Sequence, residues 1–323
     1  MLEAVMSGAQ LLFTTVCCFS AYAALEDRKE RRRQSEDFLF SCSPAADILI
    51  PIPARRLFDR LYSKGSKMTA GNFGDIFECF SRKTQQGFVL KCTKCISGLE
   101  RQEVEIHRKL LHPNIPRLIH SFGDEDCNLL VLERCHGDLA QSVMPKRGIP
   151  EDQLLIVIRQ VLRALCFLHS KDIAHRDVKA QNVLKLECFN QLSRCTFKLA
   201  DFGTSAVVKR ELTGRVGTPD HVAPEIACPP HLHGVNADLW SCGVMMSFVS
   251  TGRRLFSKVR TFDHMQELFG NLEEFAKSVD RLPQVKDETR ELLAGTLQLD
   301  PSSRATASAA LCLLQRADAA ERS

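Results

Sequence analysis

His175-Arg176-Asp177-Val178-Lys179-Ala180-Gln181-Asn182 decides the reading of this 323-residue chain, together with Asp201-Phe202-Gly203, whose Asp lies nineteen residues beyond Asn182. The two stretches put a carboxylate, a lysine, a side-chain amide and a second carboxylate at two neighbouring loop positions. Moving a phosphoryl group from a nucleotide to a hydroxyl needs such a set. One acceptor orients the attacking hydroxyl, one cation sits on the transferring phosphate, and oxygen ligands hold magnesium. Asp-Phe-Gly alone recurs by chance. Both stretches in this order, with a β-hairpin-sized gap between them, are far more specific.

Further motifs flank this centre. Thr69-Ala70-Gly71-Asn72-Phe73-Gly74-Asp75-Ile76 reads as a glycine-containing turn between strands, where absent Cβ atoms let backbone approach a ligand closely. Seventeen residues after Gly74, the apolar run Phe88-Val89-Leu90-Lys91 ends in a lysine. Downstream come Gly217-Thr218-Pro219, Ala223-Pro224-Glu225, Asp238-Leu239-Trp240-Ser241 and Asp300-Pro301-Ser302-Ser303-Arg304. In this order the motifs resemble those of eukaryotic-type protein kinases, in the serine/threonine-specific branch, over residues 67–316. The chain departs from that family at Thr69, where a first glycine is usual, and at Val89, where alanine is usual and a slightly tighter adenine pocket is expected.

The partner of Lys91 follows from periodicity. Between Leu99 and His112 the pattern is helical, with Leu99, Ile106 and Leu110 on one stripe. Glu103 falls on that stripe, whereas Glu105 is out of phase and should face water. An inward carboxylate is costly unless a cation meets it, and Lys91 is the candidate. The alternative is a solvated residue at the stripe's edge. Pro113 should end this helix, since the residue before proline avoids helical geometry.

The coarse pattern is strands first and helices after. Strand-like runs occur at 77–80, 88–94 and 129–133. A helix follows over 150–170, with Leu154, Ile158, Val161, Leu165 and Leu168 on one stripe, and then an apolar core helix over 239–249. The plan is α+β: a two-lobed protein kinase fold with a mostly β N-lobe (about 67–133) and a mostly α C-lobe (about 134–316), ATP lying between them.

What the resemblance implies for the site is specific. Asp177 accepts or orients the substrate hydroxyl, and Lys179 screens the transferring phosphate. Asn182 and Asp201 bind Mg2+. Lys91, held by Glu103, grips the α- and β-phosphates of ATP. Thr69, Ala70, Gly71, Asn72, Phe73, Gly74, Ile76, Val89, Leu132, Glu133 and Cys135 complete the nucleotide site, with a hinge near 133–136. Glu225 and Arg304 would form a buried ion pair. Lys179 and Thr218 resemble serine/threonine rather than tyrosine kinases. Arg176 suggests control by a phosphate on the activation segment, with Thr213 the candidate acceptor and Thr218 a further regulatory position. Thr213 is otherwise an ordinary solvated loop residue. A pseudokinase scaffold is the alternative, although the residues such proteins usually lose are all present. A small-molecule kinase would not need the Gly-Thr-Pro and Ala-Pro-Glu segments that shape a groove for a protein substrate.

Bulk properties agree. A formal charge of +4 is too mild for a nucleic-acid role by electrostatics alone. The 14 cysteines are scattered, and Cys92-Thr93-Lys94-Cys95 has no second pair to complete a zinc site. Scattered thiols in a nucleotide-using enzyme suggest a cytoplasmic, or cytoplasm-facing, location. From Ala4 to Leu25 no residue is charged, and Arg28, Lys29, Arg31, Arg32 and Arg33 follow. Such a leader (1–25) is long enough to span a bilayer with the basic cluster kept inside, or to pack as a soluble apolar helix. Residues 26–66, with Pro44, Pro51 and Pro53, read as a linker, and 317–323 as a tail.

Overall fold

The structure, a computed structural model, describes residues 54–71, 74–94, 99–123, 127–187, 192–271, 273–275, 285 and 287–321. The leader and its membrane expectation lie outside these residues, as do Asn72 and Phe73 of the glycine turn. Among the described residues no helix is long and apolar enough to cross a membrane.

Five antiparallel strands open the fold: β1 (Tyr62–Gly71), β2 (Gly74–Ser81), β3 (Gly87–Lys94), β4 (Leu118–Gly123) and β5 (Cys127–Leu132), in the order β1-β2-β3-β5-β4. Register sorts their side chains. Ile76 pairs with Lys91, Lys91 with Leu130 and Val89 with Leu132, so Ile76, Val89, Lys91 and Leu132 share one face. Phe88, Leu90, Leu129 and Val131 take the other face, where they pack with Phe58, Tyr62, Cys79 and Phe122.

That second face is closed by α1 (Ala54–Leu61), whose Phe58 stacks on Tyr62 at 5.6 Å and meets Phe122 edge-on at 5.9 Å. Residues 54–66, read above as the end of a linker, are therefore α1 and the first half of β1. The spacing of Phe58 and Tyr62 puts both rings over the sheet, and this packing builds the elements where intrinsic strand character is weak. Helix α2 (Leu99–His107) also differs from expectation. It ends well before Pro113, because the chain tightens into short turns at Lys109 N–Ile106 O (2.9 Å) and Leu110 N–His107 O (3.0 Å).

The remainder is mostly helical. Helix α3 (Glu151–His169) buries Leu154, Ile158, Val161, Leu165 and Leu168 as its stripe predicts. Two short ladders then clamp the loops of interest. β6 (Ile173–Ala174) pairs with β9 (Ala206–Val207), and β7 (Val183–Lys185) pairs with β8 (Phe197–Leu199) as a hairpin. Residues 175–182 thus leave β6 and enter β7, while Asp201 follows β8 and precedes β9. The lobe is completed by α4 (Pro224–Ala227), α5 (Ala237–Thr251), α6 (Phe262–Gly270), α7 (Asp287–Thr296) and α8 (Ala307–Glu321). Helix α5 is buried along nearly its whole length, and its Trp240 packs among Phe256, Phe269 and Phe275.

Arg304 ties the end of this lobe to α4. Its two Nη atoms donate to Glu225 Oε1 (2.7 Å) and Oε2 (3.1 Å), and it also donates to the Asn236 and Gln298 carbonyls. The Arg304 side chain is fully buried. Removing one partner of such a pair strands a buried charge, so Arg304→Leu is expected to lose about 3–5 kcal/mol in urea unfolding. Glu225→Gln combined with Arg304→Leu should lose less than the single Arg304 variant. A small loss for Arg304→Leu alone would show that the pair is dispensable.

Candidate active site

Lys91 is buried at the centre of the small-lobe sheet, and its Nζ lies 2.6 Å from Glu103 Oε1 and 2.8 Å from Asp201 Oδ1. Burial opposes the lysine's charge, but Asp201 and then Glu103 outweigh it, and the pKa ends above its ordinary value. For Asp201, burial acts to raise the pKa, but the Lys91 ammonium more than offsets it, so the carboxylate is held ionised below its usual range. Glu103 reaches this position from α2, while Glu105 of the same helix is exposed. Three elements distant in sequence therefore converge on one cation.

Residues of the 175–182 loop form a second network. Asp177 is buried, and its Oδ2 lies 2.7 Å from Lys179 Nζ. The Thr218 hydroxyl donates to Asp177 Oδ1 (2.6 Å) and accepts from Lys179 Nζ (2.8 Å). Thr218 thus sits inside the network that holds Asp177. Gly217 makes this approach feasible: its φ is +97°, and a Cβ there would run into the Arg176 carbonyl. Asn182 Nδ2 donates to the Asp177 carboxylate (3.0 Å) and carbonyl (2.8 Å), which leaves its amide oxygen for a cation.

The two loops are stitched together directly. Ala200 N donates to Asn182 O at 2.8 Å, and His175 Nε2 lies 3.0 Å from Ala200 O. Asp201 adopts a left-handed φ of +66°, and Arg176 one of +67°. Phe202 is fully buried between the rings of His107 on α2 (4.9 Å) and His175 (5.2 Å). This wedge joins α2 to the catalytic loop and keeps Glu103 facing Lys91.

Other predicted residues are placed as follows. Ile76, Val89 and Leu132 share the Lys91 face by register. Thr69, Ala70 and Gly71 pair with Ile76, Asp75 and Gly74, so they flank the tip of the β1–β2 turn. Gly74 has φ +135°, and a Cβ there would strike the Cys92 carbonyl, so it is required by strand packing as well as by any phosphate. The Glu133 carboxylate lies 3.0 Å from Lys198 Nζ and accepts from Arg117 N, while the backbone N–H groups of Glu133 and His136 donate to the carbonyls of Arg117 (2.9 Å) and Lys185 (2.6 Å). Cys135 is buried, which pushes its thiol up to about 12 and keeps it protonated. Arg176 Nε donates to the Thr204 carbonyl (2.6 Å), and Thr213 is exposed on the segment beyond.

Sequence reasoning missed the supports of this site. Asp238, noted only as the start of an apolar helix, accepts from the backbone N–H groups of His175 (2.8 Å) and Arg176 (2.7 Å), and His169 Nε2 lies 2.9 Å away. A lone carboxylate heading an otherwise apolar run was the signal for it. Asn114 donates to Phe197 O and Gln160, bracing β8 with no comparable signal. His107 was also missed. Its burial lowers its pKa to about 4, so the ring against Phe202 is neutral. Its folded pKa lies below the unfolded value of about 6.5, so the unfolded chain binds the extra proton first. Stability is therefore expected to fall as the pH drops from about 6.5 towards 4, by at most ~1.4 kcal/mol per pH unit from this group. A His107→Gln variant should lack that part of the slope in denaturation at stepped pH, and an unchanged slope would refute it.

A cation-holding carboxylate pair across two lobes, a hydroxyl-bridged Asp–Lys pair and an amide beside them define a class. The family model for the protein kinase domain matches residues 62–313, and the chain belongs to the protein kinase family. Among its relatives, the mouse serine/threonine-protein kinase DCLK3 is 30% identical over 258 residues, 77% of this chain and 32% of its own length. Serine/threonine-protein kinase ULK3 of Xenopus laevis is 30% identical over 250 residues, 74% of this chain and 51% of its own length. Serine/threonine-protein kinase CG17528 of Drosophila melanogaster is 34% identical over 258 residues, 76% of this chain and 33% of its own length. The chain thus spans about a third to a half of the length of these curated relatives.

Proposed function

We propose that this chain transfers the γ-phosphate of ATP to serine or threonine hydroxyls of protein substrates, in the cytoplasm or at the cytoplasmic face of a membrane. One observation carries the reading: Glu103–Lys91–Asp201 and Thr218–Asp177–Lys179 are two intact polar networks, joined through Asn182 and Ala200. The residues also fit the expected cofactors. Among the described residues no cluster of three His, Cys, Asp or Glu side chains forms a metal cage. Magnesium does not need one, because it keeps waters and takes one or two protein oxygens with the nucleotide phosphates. Asp201 and the amide oxygen of Asn182 would hold it, and when bound it neutralises charge on the phosphate oxygens.

The chain's own groups have defined tasks. Lys91, kept charged by its carboxylates, is poised for the α- and β-phosphates. Asp177 orients the acceptor hydroxyl, and Lys179 offsets charge on the departing phosphoryl group. The Thr218 hydroxyl holds Asp177 and Lys179 in register, so positioning and electrostatics supply the rate. Ile76, Val89 and Leu132 offer an apolar face for adenine, with the Thr69–Gly74 turn over the phosphates. Arg176, spaced from exposed Thr213, would receive an activating phosphate.

The test is label transfer from γ-labelled ATP with magnesium to a generic protein substrate, followed by phosphoamino-acid analysis. Label on serine and threonine supports the reading. ATP binding without transfer, persisting after phosphorylation of the activation segment, would make the protein a pseudokinase scaffold.

A further inference from the structure

Helix α1 leaves most of its surface uncovered. Phe58 is buried, but Leu57 and Leu61 are 41% and 43% exposed, and Arg55, Arg56, Asp59 and Arg60 are exposed as well. Helical geometry aligns Leu57 with Leu61 in one stripe and Arg56 with Arg60 in a parallel stripe beside it. Exposed Arg82 donates to the carbonyls of Asp59 (2.7 Å) and Tyr62 (3.1 Å), which fixes the end of α1 and brings another cation to it. Lys83 is exposed next to it. Arg55, Arg56, Arg60, Arg82 and Lys83 thus gather on and beside a helix whose own sequence holds one carboxylate, Asp59, in a chain whose formal charge is only +4.

An apolar stripe bordered by arginines suits an interface with a charged outer layer and an apolar interior. Leucines enter the boundary between headgroups and acyl chains, and guanidinium groups pair with phosphates bidentately. The sequence ahead of α1 points the same way independently, with its uncharged stretch from Ala4 to Leu25 and basic cluster from Arg28 to Arg33. Geometry also permits the contact during turnover. Phe58 packs on the sheet face opposite Lys91, so a surface seated on α1 leaves the nucleotide face open.

We infer that α1, with Arg82 and Lys83, lies on an anionic lipid surface, Leu57 and Leu61 entering the headgroup layer and Arg56 and Arg60 pairing with lipid phosphates. The inference stands independently of catalysis.

Hydrogen exchange on the full chain, with phosphatidylcholine vesicles lacking or containing phosphatidylserine, tests it at the helix itself. The expected result is slower exchange of amides 55–62 with phosphatidylserine vesicles only, reversed by high salt. In vesicle co-sedimentation at low salt, Arg56→Gln with Arg60→Gln should weaken the α1-dependent binding by about thirtyfold. Leu57→Gln with Leu61→Gln should abolish the added protection, and thermal unfolding should show that these exposed substitutions leave the fold intact. Three results would overturn the inference. Exchange at α1 unchanged while the chain still binds vesicles would assign all attachment to the leader. Amides already protected without vesicles, and unaffected by them, would mean that the chain covers α1 itself. Slowing by an acidic peptide such as polyglutamate but not by vesicles would identify a protein partner instead.

Discussion

Under the proposed function, replacing Asp201 by Asn is expected to cut phosphoryl transfer by on the order of a thousandfold or more and to leave the fold in place. The substitution removes the charge with which Asp201 would hold magnesium while preserving size. Lys91 keeps its 2.6 Å contact to Glu103, so no buried cation is left unpaired. The left-handed φ of +66° at this position is one that asparagine adopts as readily as aspartate, so the loop can keep its course. ATP binding should weaken far less than transfer, because Lys91 and the apolar face of the sheet remain. Transfer rates for the two proteins, beside their denaturant midpoints, decide the matter. An undiminished rate would remove Asp201 from the mechanism; a lost midpoint would show that the residue is mainly structural.

The contrast between Asp201 and its surroundings shows what sequence could reveal. Contiguous pattern was readable: the gap between the 175–182 and 201–203 stretches is a hairpin, β7–β8, flanked by Asn182 and Asp201. Glu103 could be placed because helical phase put a carboxylate on an apolar stripe. That Ile76, Val89 and Lys91 share one face emerged only from the strand register of the structure. Elements held together by tertiary packing were hidden. Tyr62–Gly71 shows little apolar alternation, so α1 and early β1 pass for linker until Phe58 and Tyr62 are seen over the sheet. Helix α2 stops at His107 through local turns that no proline marks. Thr218 joins Asp177 across 41 residues, a distance at which motif reading supplies identity but not contact.

Asp238 carries the second large prediction, in which stability and rate fall together. Three donors converge on its fully buried carboxylate, two of them the backbone N–H groups of His175 and Arg176. Burial alone would raise its pKa, but the His169 hydrogen bond and its neighbours reverse this, and the pKa ends lowered. Asparagine at this position has one accepting oxygen, and its NH2 must face a backbone N–H, leaving a buried donor unsatisfied. Asp238→Asn is therefore expected to lose about 3 kcal/mol in denaturant unfolding. The catalytic loop suffers as well, since the left-handed φ of Arg176 (+67°) is costly for a non-glycine residue and its amide is held by Asp238. A shift of Asp177 by about 1 Å would cut turnover roughly a hundredfold. The KM for ATP should change little, because Lys91 and Glu103 lie on other elements. The pH dependence has a definite sign. A carboxylate with a depressed folded pKa contributes fully above the ordinary value of about 3.9 and loses its contribution as the pH falls through the folded value. The stability gap between the two proteins should accordingly stay constant near neutrality and shrink only in strong acid. A variant with native stability and turnover would show that the His175–Arg176 backbone holds its conformation without this carboxylate.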